Sequence, residues 1–257
     1  GRPAIGSDAA TNANTYCLDF DGTDDYLIHT TPTYRSSDDR GTIFAWIYLD
    51  TIQAGIIFAS MDTAGGGSHY DWLYLRVNGS GKLDITKRHN DGTQSPGATS
   101  LSDSTLSTGQ WYSVAVVADG TNNWVLYVDG TAVSITTSGA AGENGNWLAD
   151  LGSTDNITIG AYKYGAGTGD FFDGKIMQVA YFGGSVGSQG VLTAAQIAAL
   201  HSAGKGHDLT TATGVYTASE IDDLKGYWRM GNHRLDTAKT IYDASGNGYD
   251  MREVSDP

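Results

Sequence analysis

The stretch that most constrains this chain is residues 109–135, GQWYSVAVVADGTNNWVLYVDGTAVSI. It reads as three strands joined by tight turns. Residues 111–118 are mostly apolar, and Val114, Val116 and Val117 are β-branched, which suits a pleated, half-buried surface. A polar loop at 119–123 leads into 124–128. Asp129-Gly130 then separates two runs able to pair, 124–128 and 131–135. Asp-Gly between such runs is the strongest short-range hairpin signal, because both turn residues need positive φ. The expectation is the central antiparallel meander of an all-β domain.

Composition agrees. Among 257 residues there are 35 Gly, 4 Pro and only 17% charged side chains, as expected for many short strands with glycine-rich turns. The acids are 26 Asp and 3 Glu. Asp favours turns and Glu favours helices, so this skew argues against a helical protein. All-β sandwiches reach this length as one unit and bury a large core without staples. The net charge of −14 disfavours direct nucleic-acid binding, which needs a basic footprint. A single cysteine, Cys17, excludes an intrachain disulfide and reads as a small buried hydrophobe. No apolar run approaches the ~20 residues of a membrane span.

Residues 1–14 are small and polar and read as an N-terminal arm, disordered alone or pinned by a neighbour. YCLDFDGTDDYLIH at 16–29 reads as a hairpin, and GTIFAWIYL at 41–49 as a strand covered on both faces. Further strands are expected at 56–61, 70–77 and 82–88, with a loop at 62–69 carrying three consecutive glycines. Asp-Gly-Thr recurs at 21, 91, 119 and 129 with irregular spacing, which is turn chemistry and not a repeat architecture. Residues 138–155 read as a long loop and 165–169 as a flexible one. LTAAQIAALHSAG at 192–204 is the one good helix, near 193–203, with Thr193 as N-cap and Gly204 as its stop. Residues 219–224 read as a helical turn.

Several of these words resemble laminin-G-like domains with the concanavalin A-type jelly roll. They are the Trp111-Tyr112 pair followed by LYVDG at 126–130, LDFDGTDDY at 18–26, TIFAWI at 42–47, NITIGA at 156–161 and FFDGKIMQVAYF at 171–182. The resemblance implies a two-sheet antiparallel jelly-roll sandwich. GYWRMG at 226–231 and IYDASGNGYD at 241–250 resemble the segment that usually opens such a domain, yet here it comes last. Either these strands return beside the first ones, as in a circular permutation, or they begin a second copy. The first reading is adopted, because ~30 residues cannot bury a core alone. The domain is therefore taken as 15–257, with 226–252 returning beside the opening strands.

Glycosidases share this jelly roll, so catalysis needs testing. Retaining members use two carboxylates ~5 Å apart. Glu220-Ile-Asp222-Asp223 begins like their E-x-D-x-x-E strand, but Lys225 stands where the acid/base would be. A solvated capping segment is the better reading. GGSVG at 183–187 matches the nucleophile-elbow string, but the helix begins too late and the preceding strand reads antiparallel. The six histidines show no zinc-ligand spacing. The expectation is a protein that is not an enzyme.

No cofactor is specified by the sequence, and Ca²⁺ is the least improbable one. Asp21, Asp24 and Asp25, with Asp19 beside them, crowd one turn, and Asp173, with Asp170, lies before a late strand. Hard carboxylate and carbonyl oxygens suit Ca²⁺, and Asx-turns account for the same residues equally well. For ligands, period-2 alternation puts Tyr70, Trp72, Tyr74 and Arg76 on one face and Leu73, Leu75 and Val77 on the other. An aromatic stripe ending in Arg can stack sugar rings and bond their hydroxyls. The same rings could instead pack against the facing sheet as core.

On the resemblance, the leading expectation is a structural or adhesive subunit of a virion, such as a phage decoration, fibre or spike protein. It would fold in the host cytoplasm, form homo-oligomers or join other subunits, and bind cell-surface glycan as a secondary role. The alternative is an extracellular carbohydrate-binding module of a secreted bacterial polysaccharide-processing system. A polysaccharide-cleaving enzyme stands third.

Overall fold

The structure, a computed structural model, describes residues 4–7, 16–30, 37–63, 71–89, 97–121, 123–140, 143, 145–151, 154–237 and 239–255. The strands in the first third are β1 (Ala4–Ser7), β2 (Tyr16–Asp21), β3 (Asp25–Thr30), β4 (Arg40–Leu49), β5 (Gly55–Met61), β6 (Trp72–Val77) and β7 (Lys82–Arg88). Next come β8 (Gly97–Thr105), β9 (Trp111–Ala118), β10 (Trp124–Val128), β11 (Thr131–Ala132), β12 (Ile135–Gly139), β13 (Asn156–Ile159), β14 (Tyr162–Tyr164) and β15 (Gly167–Gly169). The remainder holds β16 (Asp173–Gly184), helix α1 (Ala194–Ala203), helix α2 (Ala218–Asp222), β17 (Leu224–Trp228), β18 (Thr240–Ile241) and β19 (Met251–Ser255).

Two antiparallel sheets face each other. One runs β1-β2-β16-β4-β9-β10-β11, with β17 also paired to β16; the other runs β12-β8-β7-β6-β5-β13-β3-β19-β18. The chain thus forms a two-sheet antiparallel jelly roll. Alternation fills the interior: Ile43, Ala45 and Ile47 of β4, Val114 and Val116 of β9, and Leu73, Leu75 and Val77 of β6 share one core. Phe58 stacks on Tyr181 (centroids 5.8 Å apart), and Tyr181 stacks on Trp147 (6.3 Å). The polar tips of that stack are matched. Trp147 Nε1 donates to the Tyr181 hydroxyl (3.0 Å), which donates to buried Asp38 Oδ2 (3.1 Å).

The first sheet is covered on its outer face as well. Phe44, Trp46, Ala115, Val117 and Tyr127 pack there against Ile197 and Leu200 of α1 and against Leu209, Tyr216 and Leu224. Thr193 caps α1 through the Gln196 amide at 3.3 Å, and Gly204 ends it at φ 84°, as its spacing predicts. The Asp129-Gly130 turn has φ of 49° and 74°, as a hairpin turn of this kind requires. A Cβ on Gly130 would sit 2.9 Å from His201 Cβ, so the turn lies directly against α1.

Four expectations need correction. The 109–135 meander lies at the edge of its sheet, because β16 and β4 occupy the centre. Its third strand also divides. Thr131 and Ala132 pair with β10, but β12 crosses to the other sheet and pairs with β8, which lets Val133 and Ile135 pack against the core. The 16–29 segment is no hairpin: β2 pairs with β16 and β3 with β13 and β19, in opposite sheets. The acidic turn between β2 and β3 is the corner, so Phe20 and Leu27 meet across the interior. Residues 97–105, for which no element was expected, form a full strand rich in Ser and Thr, whose pattern apolar periodicity does not reveal. Finally, 165–169 is not a loose loop, because β14 and β15 pair around Gly165 (φ 55°).

The N-terminal residues 4–7 pair with β2, and the rest of the arm lies outside the described residues. At the other end, β17 runs along β16 and β19 along β3. Asp243 holds this C-terminal segment through the amides of Tyr227 (2.9 Å), Ser245 (3.0 Å) and Tyr249 (3.1 Å). Asn232 exchanges two hydrogen bonds with the backbone of Tyr16, at 3.0 and 2.6 Å.

Candidate functional site

With the outer face of the first sheet covered, the outer face of the second carries a half-exposed aromatic row. There β6 turns Leu73, Leu75 and Val77 inward, and Trp72, Tyr74 and Arg76 outward and half-buried. The row is therefore not interior core. Tyr70, predicted to belong to it, lies outside the described residues. The outward row joins Ile56, Ala59 and Met61 of β5 and the two tyrosines of β14, Tyr162 and Tyr164. Trp72 meets Tyr164 edge-on, with centroids 5.3 Å apart. Asn156 fastens β14 to the sheet, donating through Nδ2 to the carbonyls of Met61 (2.9 Å) and Lys163 (3.1 Å).

These side chains enclose a depression of about 330 Å³ lined by Met61, Trp72, Tyr74, Arg76, Tyr162, Tyr164 and Asp170. A second depression of similar size lies across the Trp72–Tyr74 ridge, bordered by Thr86, Arg88 and Thr99. Arg88 sits over the Trp72 ring at 5.4 Å and Arg76 over Tyr74 at 4.8 Å. Burial raises the Tyr74 pKa, against smaller opposing effects from Thr86 and Arg76, so its hydroxyl stays protonated.

Arg76 ends the aromatic row in an ion triad. Its Nε and Nη2 donate to Asp84 Oδ2 at 3.0 and 2.9 Å, and its Nη1 donates to Asp170 Oδ2. Asp84 is its cross-strand neighbour on β7. Burial raises the Asp84 pKa, while Arg76 and Thr86 act against that rise. Asp170 follows β15 in a left-handed conformation (φ 48°), which Asp tolerates, and its carbonyl accepts the Ile56 amide at 2.9 Å. The carboxylate is thereby set at the rim of the depression.

The predicted acidic group is partly assembled. Asp21, Asp24 and Asp25 bring carboxylate oxygens within 4.8 Å of one another at the corner between β2 and β3. Asp173 is not among them, since its Oδ2 accepts from Thr51. Asp19 faces Lys175 at 3.6 Å. Asp25 is 1% exposed, and neither of its oxygens has a hydrogen-bond partner. The backbone of Asp21 acts toward the charged form, with a smaller effect than burial. Burial, then repulsion from Asp21, pushes the Asp25 pKa up to about 6. Three carboxylates at this separation offer hard oxygen donors and are the described residues that could hold a Ca²⁺-like ion.

Glu220 accepts the Thr217 amide at 2.6 Å and caps α2. Glu143 pairs with buried Lys87 at 2.7 Å and accepts from Asn146. Ser185 follows the antiparallel strand β16, eight residues before the cap of α1.

The sequence matches the family model described as the concanavalin A-like lectin/glucanases superfamily over residues 21–198. That match covers more than half of the chain. The protein belongs to this superfamily, in its laminin-G-like form. No curated protein matches it in sequence. Among solved structures it is similar to the CBM40 of the Ruminococcus gnavus IT-sialidase bound to α2,3-sialyllactose, at TM-score 0.55 and 15% identity, covering 72% of this chain and 97% of that one. It is also similar to a putative carbohydrate binding protein from Bacteroides ovatus, at TM-score 0.56 and 18% identity, covering 93% of this chain and 59% of the other. A third is the enzymatically active domain of tailspike protein 2 from bacteriophage CBA120, at TM-score 0.57 and 16% identity, covering 90% and 32%. Identities this low establish the shared fold alone.

Sequence reasoning found Trp72, Tyr74 and Arg76 but missed Met61, Tyr162, Tyr164 and Asp84 as their neighbours. One signal was present. Tyr162-Lys-Tyr164 alternates at period 2 before a glycine-rich turn, as a short hairpin with an aromatic face does.

Proposed function

We propose that this protein binds glycan on the outer face of its second sheet and does so as an adhesive subunit of a larger assembly, a virion fibre, spike or decoration protein, without catalysing a reaction. The observation that carries the glycan reading is the outward row of Trp72 and Tyr74, joined by Tyr162 and Tyr164 around a depression ending in Arg76 and Asp170. Half-exposed rings offer flat apolar surface to the C–H faces of sugars, and the charged groups beside them offer donors and acceptors to hydroxyls. Two depressions flanking one aromatic ridge suit an oligosaccharide better than a monosaccharide.

The virion setting is supported by the laminin-G-like words and by the likeness in fold to a tailspike domain. A secreted carbohydrate-binding module would use the same surface. Two measurements separate and test these readings. Fluorescently labelled protein on a glycan array is expected to bind a defined set of oligosaccharides, and Trp72→Ala is expected to weaken that binding at least about tenfold, the cost of losing one ring's apolar contact. Retention of full binding by Trp72→Ala refutes the site. Detection of the chain in purified particles supports the virion setting, and its recovery only as a free monomer in culture medium refutes it.

The Asp21, Asp24 and Asp25 corner is proposed to hold one Ca²⁺ with a structural role, tying the crossover between sheets. It lies apart from the residues lining the aromatic depression. Chelation is therefore expected to lower thermal stability and to leave glycan selectivity unchanged.

A further inference from the structure

Resting on the glycan reading above, we propose that the aromatic depression selects uncharged sugars and rejects acidic ones, with the Arg76–Asp84–Asp170 triad as the selecting element. Arg76 is the only cationic residue lining this depression among the described residues. An arginine beside aromatic rings would ordinarily read as a receptor for a sugar carboxylate, since its planar fork pairs with carboxylates. Here the fork is already taken. Nε and Nη2 point to Asp84 and Nη1 to Asp170. Asp84 is 2% exposed, so its carboxylate is committed to this pair. Two carboxylates against one guanidinium leave the triad with an excess of negative charge.

The chain reinforces that sign. Its net charge of −14 disfavours the approach of an anionic glycan before contact. A sialic or uronic acid carboxylate near Arg76 would meet Asp170 at the same rim. A neutral sugar meets no such penalty. Among the described residues Asp170 Oδ1 accepts no hydrogen bond, and it can accept from a sugar hydroxyl. A guanidinium has five N–H groups, and those not used on Asp84 and Asp170 can donate to another hydroxyl. An uncharged hexose or N-acetylhexosamine with adjacent hydroxyls thus fits both the rings and the triad. Arg88 stands over Trp72 and lines the neighbouring depression instead.

The test is a glycan array of matched pairs, neutral oligosaccharides beside the same chains carrying a sialic acid or uronate, followed by titration of each binder monitored by tryptophan fluorescence. Wild type is expected to bind neutral members at least about tenfold more tightly than their acidic counterparts. Asp170→Asn, which keeps shape and removes one charge, is expected to narrow that gap, as is about 0.5 M salt. Acidic members binding as tightly as neutral ones, with Trp72→Ala still abolishing both, would overturn the selectivity and leave the site standing. Weaker binding of the acidic members alone in Arg88→Ala would then locate the true anion receptor. Binding indifferent to Trp72→Ala, or no binding to any glycan, removes the site itself and the selectivity with it.

Discussion

Asp25→Asn is expected to stabilise the protein in the absence of divalent cations, and only above acid pH. Asp25 is 1% exposed, its oxygens are unpaired, and Asp21 and Asp24 crowd it. Folding therefore raises its pKa from 3.8 to about 6. Because the folded value is the higher one, the stabilising proton is fully present below about pH 4 and is lost as pH rises through about 6. The whole shift corresponds to about 3 kcal/mol. The cluster sits at the rim beside exposed carboxylates, and solvent screening reduces this to about 1–2 kcal/mol. Asparagine carries no charge, and its amide can donate to Asp21 or Asp24. In EDTA at pH 7.5 the variant should melt about 2–8 °C above wild type, and at pH 4 the two should coincide. Millimolar Ca²⁺ should reverse the order, since saturation at a hundredfold over Kd adds about 2.7 kcal/mol to wild type and little to the variant. Differential scanning fluorimetry over this grid of pH and cation decides it. A variant less stable than wild type in EDTA at pH 7.5 would show that Asp25 has a partner and that the reasoning is wrong.

Tyr181→Phe removes one oxygen that serves both the Trp147 indole and Asp38, with almost no change in volume. Urea unfolding should show a loss of about 2–4 kcal/mol at unchanged m-value, because two buried polar groups lose a partner. Asp243→Ala strips the acceptor from three amides of the C-terminal segment. Hydrogen exchange at Tyr227 and Tyr249 should accelerate, with a stability loss of about 2–3 kcal/mol.

Strands with apolar residues were legible wherever the turn residues also spoke. The Asp129-Gly130 turn, the 40–49 strand and the Thr193-to-Gly204 helix follow from chemistry within a few residues of each other. Partnering was not legible, because it depends on residues far away in the chain. Residues 16–29 illustrate this. Two strands with Asp-Gly between them suggest a hairpin, yet Leu18 and Phe20 on one side and Leu27 on the other are buried most fully when the strands lie in opposite sheets. The acidic turn then serves as a corner, and the crowding of its carboxylates is a consequence of that corner. Likewise 97–105 carries too little apolar pattern to announce itself, and it is ordered by the neighbours β7 and β12 that pair with it.

The aromatic row shows why a site can be half visible. Period-2 alternation fixes which side chains of β6 share a face, but it cannot say which face is inward. On β4 both faces are buried, because Phe44 and Trp46 lie beneath α1 and the segment around Tyr216. On β6 the outward side chains have no such cover among the described residues beyond the β14–β15 hairpin, so the same aromatic chemistry stays half-exposed. What distinguishes a covered ring of β4 from a half-exposed ring of β6 is the location of α1 and its connector, far later in the chain. The helix covers the outer face of the first sheet, not that of the second. Asp170 belongs to the same category. Its charge is plain in the sequence, but its capture of Arg76, and therefore the sign of the site, depends on a hairpin that places it opposite β6.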